Sequence, residues 1–188
     1  QPVDSRTPNT AVQAGIGYLS EDRKHFGLAI DMTVRANVPM AHLGKFTNRF
    51  GVLNETAMKD VALKYIDQLG IRTPSDMQDV GLLSGGNQQK LLLAKVMEAN
   101  PKIVIIDEPT RGIDVGTKQQ IYHFIAALAA EGVSIVVISS EMPEVIGISH
   151  RVIIMREGQI AGTVSGRDIN ETQIVRYAAG LNEEKIHA

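Results

Sequence analysis

Apolar residues in the first half of the chain repeat with the period of a helix. The clearest case is the segment 54–69, where one apolar face recurs every three to four residues. Asn54 is suited to cap the start of this helix, and Gly70 to end it. We expect the apolar face to pack in the core rather than to hold a cofactor. The residues on it are Met58, Val61, Ala62, Tyr65 and Leu69.

From residue 84 onward, short apolar runs alternate with helical patterns. The predicted strands are 102–106, 133–139 and 151–155, and a further short strand is predicted earlier, at 16–19. The predicted helices are 91–97, 115–130, one that begins at Ser140 with Pro143 in its first turn, and a weaker one at 169–177. A hairpin is predicted around Glu157-Gly158. This alternation favours an α/β fold, with a parallel sheet covered by helices.

Composition narrows the function classes only a little. Hydrophobic residues make up 44% of the 188, which is enough for a sizeable core, and the net charge of −2 argues against a nucleic-acid-binding surface. Without cysteine there is no disulfide framework and no thiolate metal site, and the five histidines show no ligand spacing. The apolar runs are far shorter than the roughly 20 residues that span a bilayer, and no secretory signal is visible.

The segment Leu83-Ser84-Gly85-Gly86-Asn87-Gln88-Gln89-Lys90 precedes an apolar helix. Ser84 can cap that helix, and the two glycines leave its free N–H groups open to an anion. A serine cap with a glycine turn also occurs without any ligand. That reading accounts for Ser84 but not for the polar run that follows the glycines.

A second segment places two carboxylates directly after a buried strand. Asp107-Glu108-Pro109-Thr110 follows the strand 102–106, at the strand end where open α/β sheets bind ligands. Neighbouring strand-end positions point their side chains in different directions, so the two carboxylates are suited to different tasks. On its own, this segment would be read as a polar turn. Beside the first segment, it favours a magnesium nucleotide.

Together, these segments resemble the signature and Walker B motifs of ABC-type ATPases, and Arg111-Gly112-Ile113-Asp114 resembles the D-loop. Three segments are similar in sequence to the second ATPase half of the fused proteins that drive ribose- and galactose-type sugar importers: LSGGNQQK, DEPTRGIDVG and ISSEMPEV. The likeness runs from about residue 14 to about residue 162. It implies a P-loop NTPase fold of the ABC ATPase type.

The resemblance assigns roles to individual residues. Asp107 would bind Mg²⁺, through water, and Glu108 would polarise the water that attacks the γ-phosphate of ATP. Asp114 would lie at the interface with a second ATPase half and couple the two sites, although aspartate is also an ordinary residue at a helix start. The surface that meets the γ-phosphate held by the opposite half would be formed by Ser84, Gly85, Gly86 and Gln88.

A P-loop, which wraps phosphates in backbone N–H groups, does not occur in the sequence. Gly44-Lys45 is followed by Phe46, and Gly15-Ile16-Gly17 lacks a third glycine. The fold is therefore expected to be partial, as in a piece of a longer protein cut after its P-loop. Within one partial domain, 1–188, the resemblance implies a helical subdomain at 25–98, an α/β core from 14–24 and 99–164, and a tail at 165–188.

Two positions depart from the general family pattern. Glu21 stands where most members have the glutamine of the Q-loop, and it brings a charge close to the magnesium ion. Ser140 stands where a switch histidine is expected, and a serine lacks the reach and positive charge of an imidazole. Both would still lie near nucleotide. These departures predict a slow or inactive site on this half, in an asymmetric pair with one working site.

The resulting expectation is an ATP-hydrolysing component of an ABC importer, with ATP and Mg²⁺ as cofactors, that energises monosaccharide uptake from the cytoplasmic face of the inner membrane. Its partners would be a second ATPase half in a head-to-tail dimer, a transmembrane permease and, indirectly, a periplasmic sugar-binding protein, with no nucleic acid. The alternative is a non-hydrolytic half that completes and regulates the partner's site. An ABC-type ATPase of DNA repair or translation is disfavoured, because coiled coils and basic arms are missing. The isolated chain is expected not to hydrolyse ATP.

Overall fold

A computed structural model describes residues 7–181, and the chain divides into two compact units, 1–138 and 139–188. In the first unit, a short helix α1 (Pro8–Gln13) leads into strand β1 (Ile16–Leu19). Then come a π-helical turn (Arg23–Gly27), the short helix α2 (Val34–Asn37) and a kinked 3₁₀ segment (Val38–Phe46). The unit continues with α3 (Glu55–Gln68), a 3₁₀ turn (Val80–Leu82), α4 (Gly85–Glu98), β2 (Ile103–Asp107), α5 (Val115–Ala130) and β3 (Ser134–Ile138).

The three strands of the first unit form a parallel sheet in the order β1-β2-β3. Leu19 lies opposite Ile106, and Asp107 opposite Ile138, so the carboxyl ends of β1, β2 and β3 meet at one edge. The predicted α/β class with a parallel sheet is confirmed. The edge at which these strands end carries the chemistry described below.

One face of this sheet is buried and the other is open. Leu19, Val104 and Ile106 are fully buried in a core shared with the helices. Residues on the opposite face remain exposed, with Tyr18 at 55%, Val136 at 50% and Ile138 at 49%. Parallel sheets are generally covered on both faces, whereas the described residues cover one.

The two longest predicted helices of the first unit are confirmed. In α3, the Asn54 side chain accepts a hydrogen bond from the backbone N–H of Ala57 at 3.0 Å, and Gly70 ends the helix with a φ of +56°. Its buried positions are Met58, Ala62 and Tyr65. Helix α5 has the predicted bounds, because Asp114 caps its start and Gly132, with a φ of +92°, follows its end.

The second unit contains α6 (Met142–Ile148), β4 (Arg151–Arg156), β5 (Gln159–Ser165), a 3₁₀ turn (Gly166–Asp168) and α7 (Glu171–Ala178). Strands β4 and β5 form an antiparallel hairpin whose core also includes α7. The buried residues of this core are Val152, Ile154, Val164 and Ile174.

The predicted alternation places the strand at 151–155 in the parallel sheet, and this is wrong for the residues described: β4 pairs with β5 instead. Glu157 and Gly158 have φ angles of +50° and +77°, the backbone of a two-residue hairpin turn that folds β5 back on β4. The predicted hairpin is confirmed. Helix α6 begins at Met142 rather than Ser140, with Glu141 at its N-cap.

The predicted subdivision into 25–98, 14–24 with 99–164, and 165–188 stays a prediction. Residues 1–6 and 182–188, the ends of the predicted domain and tail, lie outside the described residues.

Candidate functional site

Asp107, the last residue of β2, accepts a hydrogen bond from a residue of the neighbouring strand. The Tyr18 hydroxyl of β1 donates to Asp107 Oδ2 at 3.0 Å. This hydrogen bond, with burial and the negative charge of Asp107 as further causes, raises the pKa of Tyr18. Sequence reasoning missed Tyr18, and the register of β1 against β2 is the signal that would have found it.

Glu108 lies at a sharp turn directly after β2. Its φ of +48° is in the left-handed region, which is uncommon for a residue other than glycine. Its N–H donates to the Ile138 carbonyl of β3 at 2.8 Å, and its own carbonyl accepts from the Arg111 N–H at 3.3 Å. Because of this turn, Glu108 no longer follows the course of the strand that ends at Asp107. Strained backbone of this kind is often found at functional sites.

Ser84 caps α4, as predicted. Its hydroxyl accepts hydrogen bonds from the backbone N–H of Asn87 at 3.4 Å and from the Asn87 side-chain amide at 2.9 Å. The Asn87 side-chain oxygen in turn accepts from the Arg72 N–H at 2.9 Å. These bonds fix the first turn of a 14-residue helix.

Gly85 and Gly86 bring the start of α4 against two other segments. A Cβ on Gly86 would lie 2.9 Å from Cγ2 of Thr117, which is in the first turn of α5. A Cβ on Gly85 would lie 2.8 Å from Nη2 of Arg23 and 3.9 Å from the Gly112 carbonyl oxygen. The absence of a side chain at both positions lets the start of α4, the start of α5 and the loop before α5 lie side by side.

Gln88 is buried, and both ends of its amide have protein partners. Its Nε2 donates to the Val80 carbonyl at 3.1 Å, and its Oε1 accepts from Arg23 Nε at 3.4 Å. The side chain thus holds the Arg23 guanidinium beside Gly85. A direct contact of Gln88 with nucleotide stays a prediction, and one that would require these bonds to be exchanged.

Asp114 caps α5 from an exposed position. Its carboxylate accepts from the Thr117 N–H at 2.9 Å and from the Thr117 hydroxyl at 2.8 Å. The backbone hydrogen bond from Thr117, followed by the one from its hydroxyl, lowers the pKa of Asp114. Because Thr117 also contacts Gly86, the structure brings the predicted signature segment and the predicted D-loop together.

Glu21 and Ser140, the two departures from the general family pattern, have different surroundings. Glu21, just after β1, forms an ion pair with Arg111, which lies just after the Glu108 turn. The negative charge that Glu21 brings is thereby paired. Ser140 belongs to the second unit, two residues before α6, and its role near nucleotide stays a prediction.

Asp107 suits one ligand position on Mg²⁺. Among residues 7–181, no group of three or more histidine, cysteine, aspartate or glutamate side chains is arranged to hold a metal ion by itself. Mg²⁺ typically uses one or two carboxylates and takes its other oxygens from water and substrate phosphates. A single strand-end carboxylate held by Tyr18 fits that chemistry.

No helix in the described part of the chain, 7–181, has the length and apolar character needed to cross a membrane.

Comparison with known proteins identifies the family. The model of the ABC transporter family matches residues 1–111. The chain belongs to the ABC transporter family. This confirms the resemblance to ABC-type ATPases.

Similar proteins of known sequence carry sugar-import names. A ribose/galactose/methyl galactoside import ATP-binding protein of Burkholderia cenocepacia (strain HI2424) is 51% identical over 176 residues, which is 94% of this chain and 34% of that protein. A ribose import ATP-binding protein of Burkholderia pseudomallei (strain 1710b) is 45% identical over 183 residues, 96% of this chain and 35% of that protein. The chain therefore spans about a third of the length of these relatives.

Solved ABC cassettes share the fold. A nucleotide-free ATP-binding cassette from an ABC transporter superposes with a TM-score of 0.71 at 19% identity, covering 90% of this chain and 68% of the cassette. A dimeric cassette in a post-hydrolysis state, bound to ADP and Pi, gives a TM-score of 0.71 at 22% identity, covering 86% and 68%. At these identities the likeness shows the fold alone. The predicted partial ABC ATPase fold is confirmed.

Proposed function

We propose that this chain is part of an ATPase half of an ABC importer, and that it lends the start of α4 to ATP held by a second ATPase half. The observation that carries the proposal is the packing of Gly85 and Gly86 against the loop before α5 and Thr117. This packing places the capped start of α4, which favours anions, next to the exposed Asp114 on one surface. The surface that would meet the partner is formed by Ser84, Gly85 and Asp114. Gly86, predicted to belong to it, is buried against Thr117 and supports it from behind.

The chain's own carboxylates are suited to the nucleotide of its own half. Phosphoryl transfer depends mostly on charge stabilisation and a positioned nucleophile. Asp107, held by Tyr18, would bind Mg²⁺, and Glu108 would orient and polarise the attacking water. When bound, MgATP supplies the phosphoryl group and the cation that offsets its charge.

The proposed cargo is a monosaccharide. The names of the relatives support this, since those proteins are called ribose and ribose/galactose/methyl galactoside import ATP-binding proteins. The partners would be a transmembrane permease and, through it, a periplasmic sugar-binding protein, with the ATPase at the cytoplasmic face of the inner membrane. A pair of ATPase halves is supported by the dimeric cassettes that share this fold, and we propose that the two halves are arranged head to tail.

A half that does not hydrolyse ATP itself is the second candidate. The ion pair between Glu21 and Arg111 favours it, because a paired Glu21 is less available to a magnesium ion than the usual glutamine. Substituting Glu108→Gln in a protein that joins this chain to a P-loop separates the two candidates. Loss of ATP turnover would support hydrolysis on this half. Unchanged turnover would support the regulatory half.

The direct test is ATP hydrolysis by the purified chain, first alone and then mixed with an ATPase half that carries an intact P-loop. Because the sequence has no P-loop, we expect no turnover by the chain alone. We expect the chain to raise the turnover of the added half. Robust turnover by the chain alone would contradict the first expectation, and an unchanged partner rate would contradict the proposed function.

A further inference from the structure

The ion pair between Glu21 and Arg111 joins two segments that are far apart in the sequence. Glu21 follows β1, and Arg111 follows the turn at Glu108. Both side chains are partly exposed, at 43% and 67% of their surface. The pair therefore ties the end of β1 to the segment that leaves β2.

Arg111 is the first residue of a short loop, 111–114, which we call the interface loop. The far end of this loop is fixed by Asp114, which caps α5 through Thr117. Its middle is built on Gly112, whose φ is +68° and whose carbonyl oxygen faces Gly85. Between the two ends, Ile113 is partly buried and packs against the core of the first unit. The loop is thus packed at Ile113, follows the buried Thr110, and has a polar anchor at each end.

The near anchor is electrostatic. The Arg111 N–H also bonds the Glu108 carbonyl, but at 3.3 Å that bond lies at the long end of the usual range. The ion pair with Glu21 constrains the Arg111 side chain, which the backbone bond does not. It also pairs the Glu21 carboxylate, which follows the strand next to the one that ends at Asp107; an unpaired negative charge there would repel the phosphates of a nucleotide.

We propose that Glu21 and Arg111 form a positioning pair that helps to hold the interface loop beside Gly85, and so sets how well the surface of Ser84, Gly85 and Asp114 fits a partner's ATP. The inference rests on the proposed function. It gives Glu21 a different task from that of a magnesium ligand. A ligand acts through its own oxygen on the metal, whereas a positioning residue acts through Arg111.

Four variants test the pair: Glu21→Gln, Arg111→Gln, the exchange Glu21→Arg with Arg111→Glu, and the control Glu55→Gln. Glu55 is also an exposed carboxylate beside an arginine, since it lies 3.7 Å from Arg35, and it is far along the sequence from the loop. The first readout is amide hydrogen exchange at Arg111 and Thr117 in the chain alone. For an exposed ion pair, we expect each single variant to speed exchange by about two- to fivefold, and the charge exchange to reverse this.

The second readout is the stimulation of ATP hydrolysis in a P-loop-bearing half, measured against the concentration of the chain and of Mg²⁺. Each single variant should raise the chain concentration needed for half-maximal stimulation by about two- to fivefold and leave the maximum rate unchanged. The charge exchange should restore the wild-type value. The Mg²⁺ requirement should be the same in every variant.

Two results would overturn the proposal that Glu21 and Arg111 position the interface loop. One is exchange at Arg111 and Thr117 that does not respond to either single variant. The other is a charge-exchanged protein as impaired as the single variants, with a raised Mg²⁺ requirement in the Glu21 variants alone, which would make Glu21 a metal ligand. If the wild-type chain fails to stimulate the partner, the proposed function fails, and the exchange readout still decides whether the pair fixes the loop.

Discussion

Gly86 shows how a single residue position can join two helices. A Cβ there would lie 2.9 Å from Thr117 Cγ2 and 3.0 Å from Thr117 Oγ1. Thr117 cannot easily move, because its N–H and hydroxyl both bond Asp114. The glycine therefore has a packing role, and it lies buried where the starts of α4 and α5 meet.

We expect Gly86→Ala to lower the free energy of unfolding. Overpacking costs about 1–3 kcal/mol, while the better helix propensity of alanine returns at most about 1 kcal/mol. Adding Thr117→Ser, which removes the methyl group and keeps the hydroxyl, should restore part of the loss. Urea unfolding of the single and double variants measures this coupling.

The control for this prediction is Gly116→Ala, the same change in the first turn of α5. Its Cβ would meet only Asp114 Oδ1, at an ordinary 3.4 Å. A Gly86→Ala variant as stable as this control would show that the contact with Thr117 is loose.

Residue patterns predicted much of the site but not its contacts. Ser84 and Asp114 could be identified as helix caps because the capping signal is local in sequence. The bond from Tyr18 to Asp107 spans 89 positions, and the pair of Glu21 with Arg111 spans a similar stretch. Such contacts depend on the register and spacing of strands, which a single sequence does not encode locally. The burial of Gln88 was likewise out of reach.

At the scale of elements, α3 and α4 are joined by a buried polar contact. Tyr65 of α3 lies beside Glu98, the last residue of α4, and the buried Glu98 carboxylate accepts from Lys45 Nζ at 2.5 Å. Burial, followed by the nearby charge and hydrogen bond of Glu98, raises the pKa of Tyr65 to about 12. The phenol is therefore held neutral at a pH where an unfolded chain would ionise it.

This contact predicts a loss of stability at alkaline pH. The raised pKa contributes stability that is fully present below the unfolded value of about 10 and is lost as the pH rises through about 12. Between these values the free energy of unfolding of the wild type should fall more steeply than that of Tyr65→Phe. Urea unfolding at several pH values between 9 and 12 compares them. Parallel curves for the two proteins would contradict the assignment.

Whole elements were predictable where a start and a stop signal flank a long periodic segment. Helices α3 and α5 satisfy that condition, and their observed bounds agree with the predicted ones. The pairing of β4 was not predictable from alternation alone. The alternation of helices and strands is the same whether the last strand joins the parallel sheet or begins a hairpin. In the structure, the positive φ angles at Glu157 and Gly158 turn the chain so that β5 pairs with β4.

At the scale of the molecule, the parallel sheet leaves one apolar face open. Three apolar residues on this face are 39–50% exposed: Ile103, Val136 and Ile138. Their side chains lie on the same face as that of Tyr18. We expect this face to bind an environment-sensitive apolar dye, because parallel sheets are stable when both faces are covered.

Val136→Thr should weaken the fluorescence of such a dye, since it keeps the β-branched shape and adds a hydroxyl. Val175→Thr is the matched control, because Val175 is similarly exposed but belongs to the second unit. Equal fluorescence loss in both variants, or none in either, would show that the sheet face does not bind the dye.

The central claim is that the start of α4 completes an ATP site on another ATPase half. The most direct measurement is the stimulation of a P-loop-bearing half by Gly85→Glu, compared with the wild type and with Gly44→Glu. Glutamate suits the first turn of a helix, and the atom nearest to a Cβ on Gly85 is the far end of the flexible Arg23 side chain, which can move aside, so α4 should stay folded. Gly44 has open space around it, so the control adds the same charge away from this surface.

We predict that Gly85→Glu lowers the stimulation about tenfold or more, because a carboxylate at this position repels the phosphate. Gly44→Glu should stimulate as well as the wild type. Equal stimulation by Gly85→Glu and the wild type would contradict the claim, since the start of α4 would then lie away from the partner's ATP.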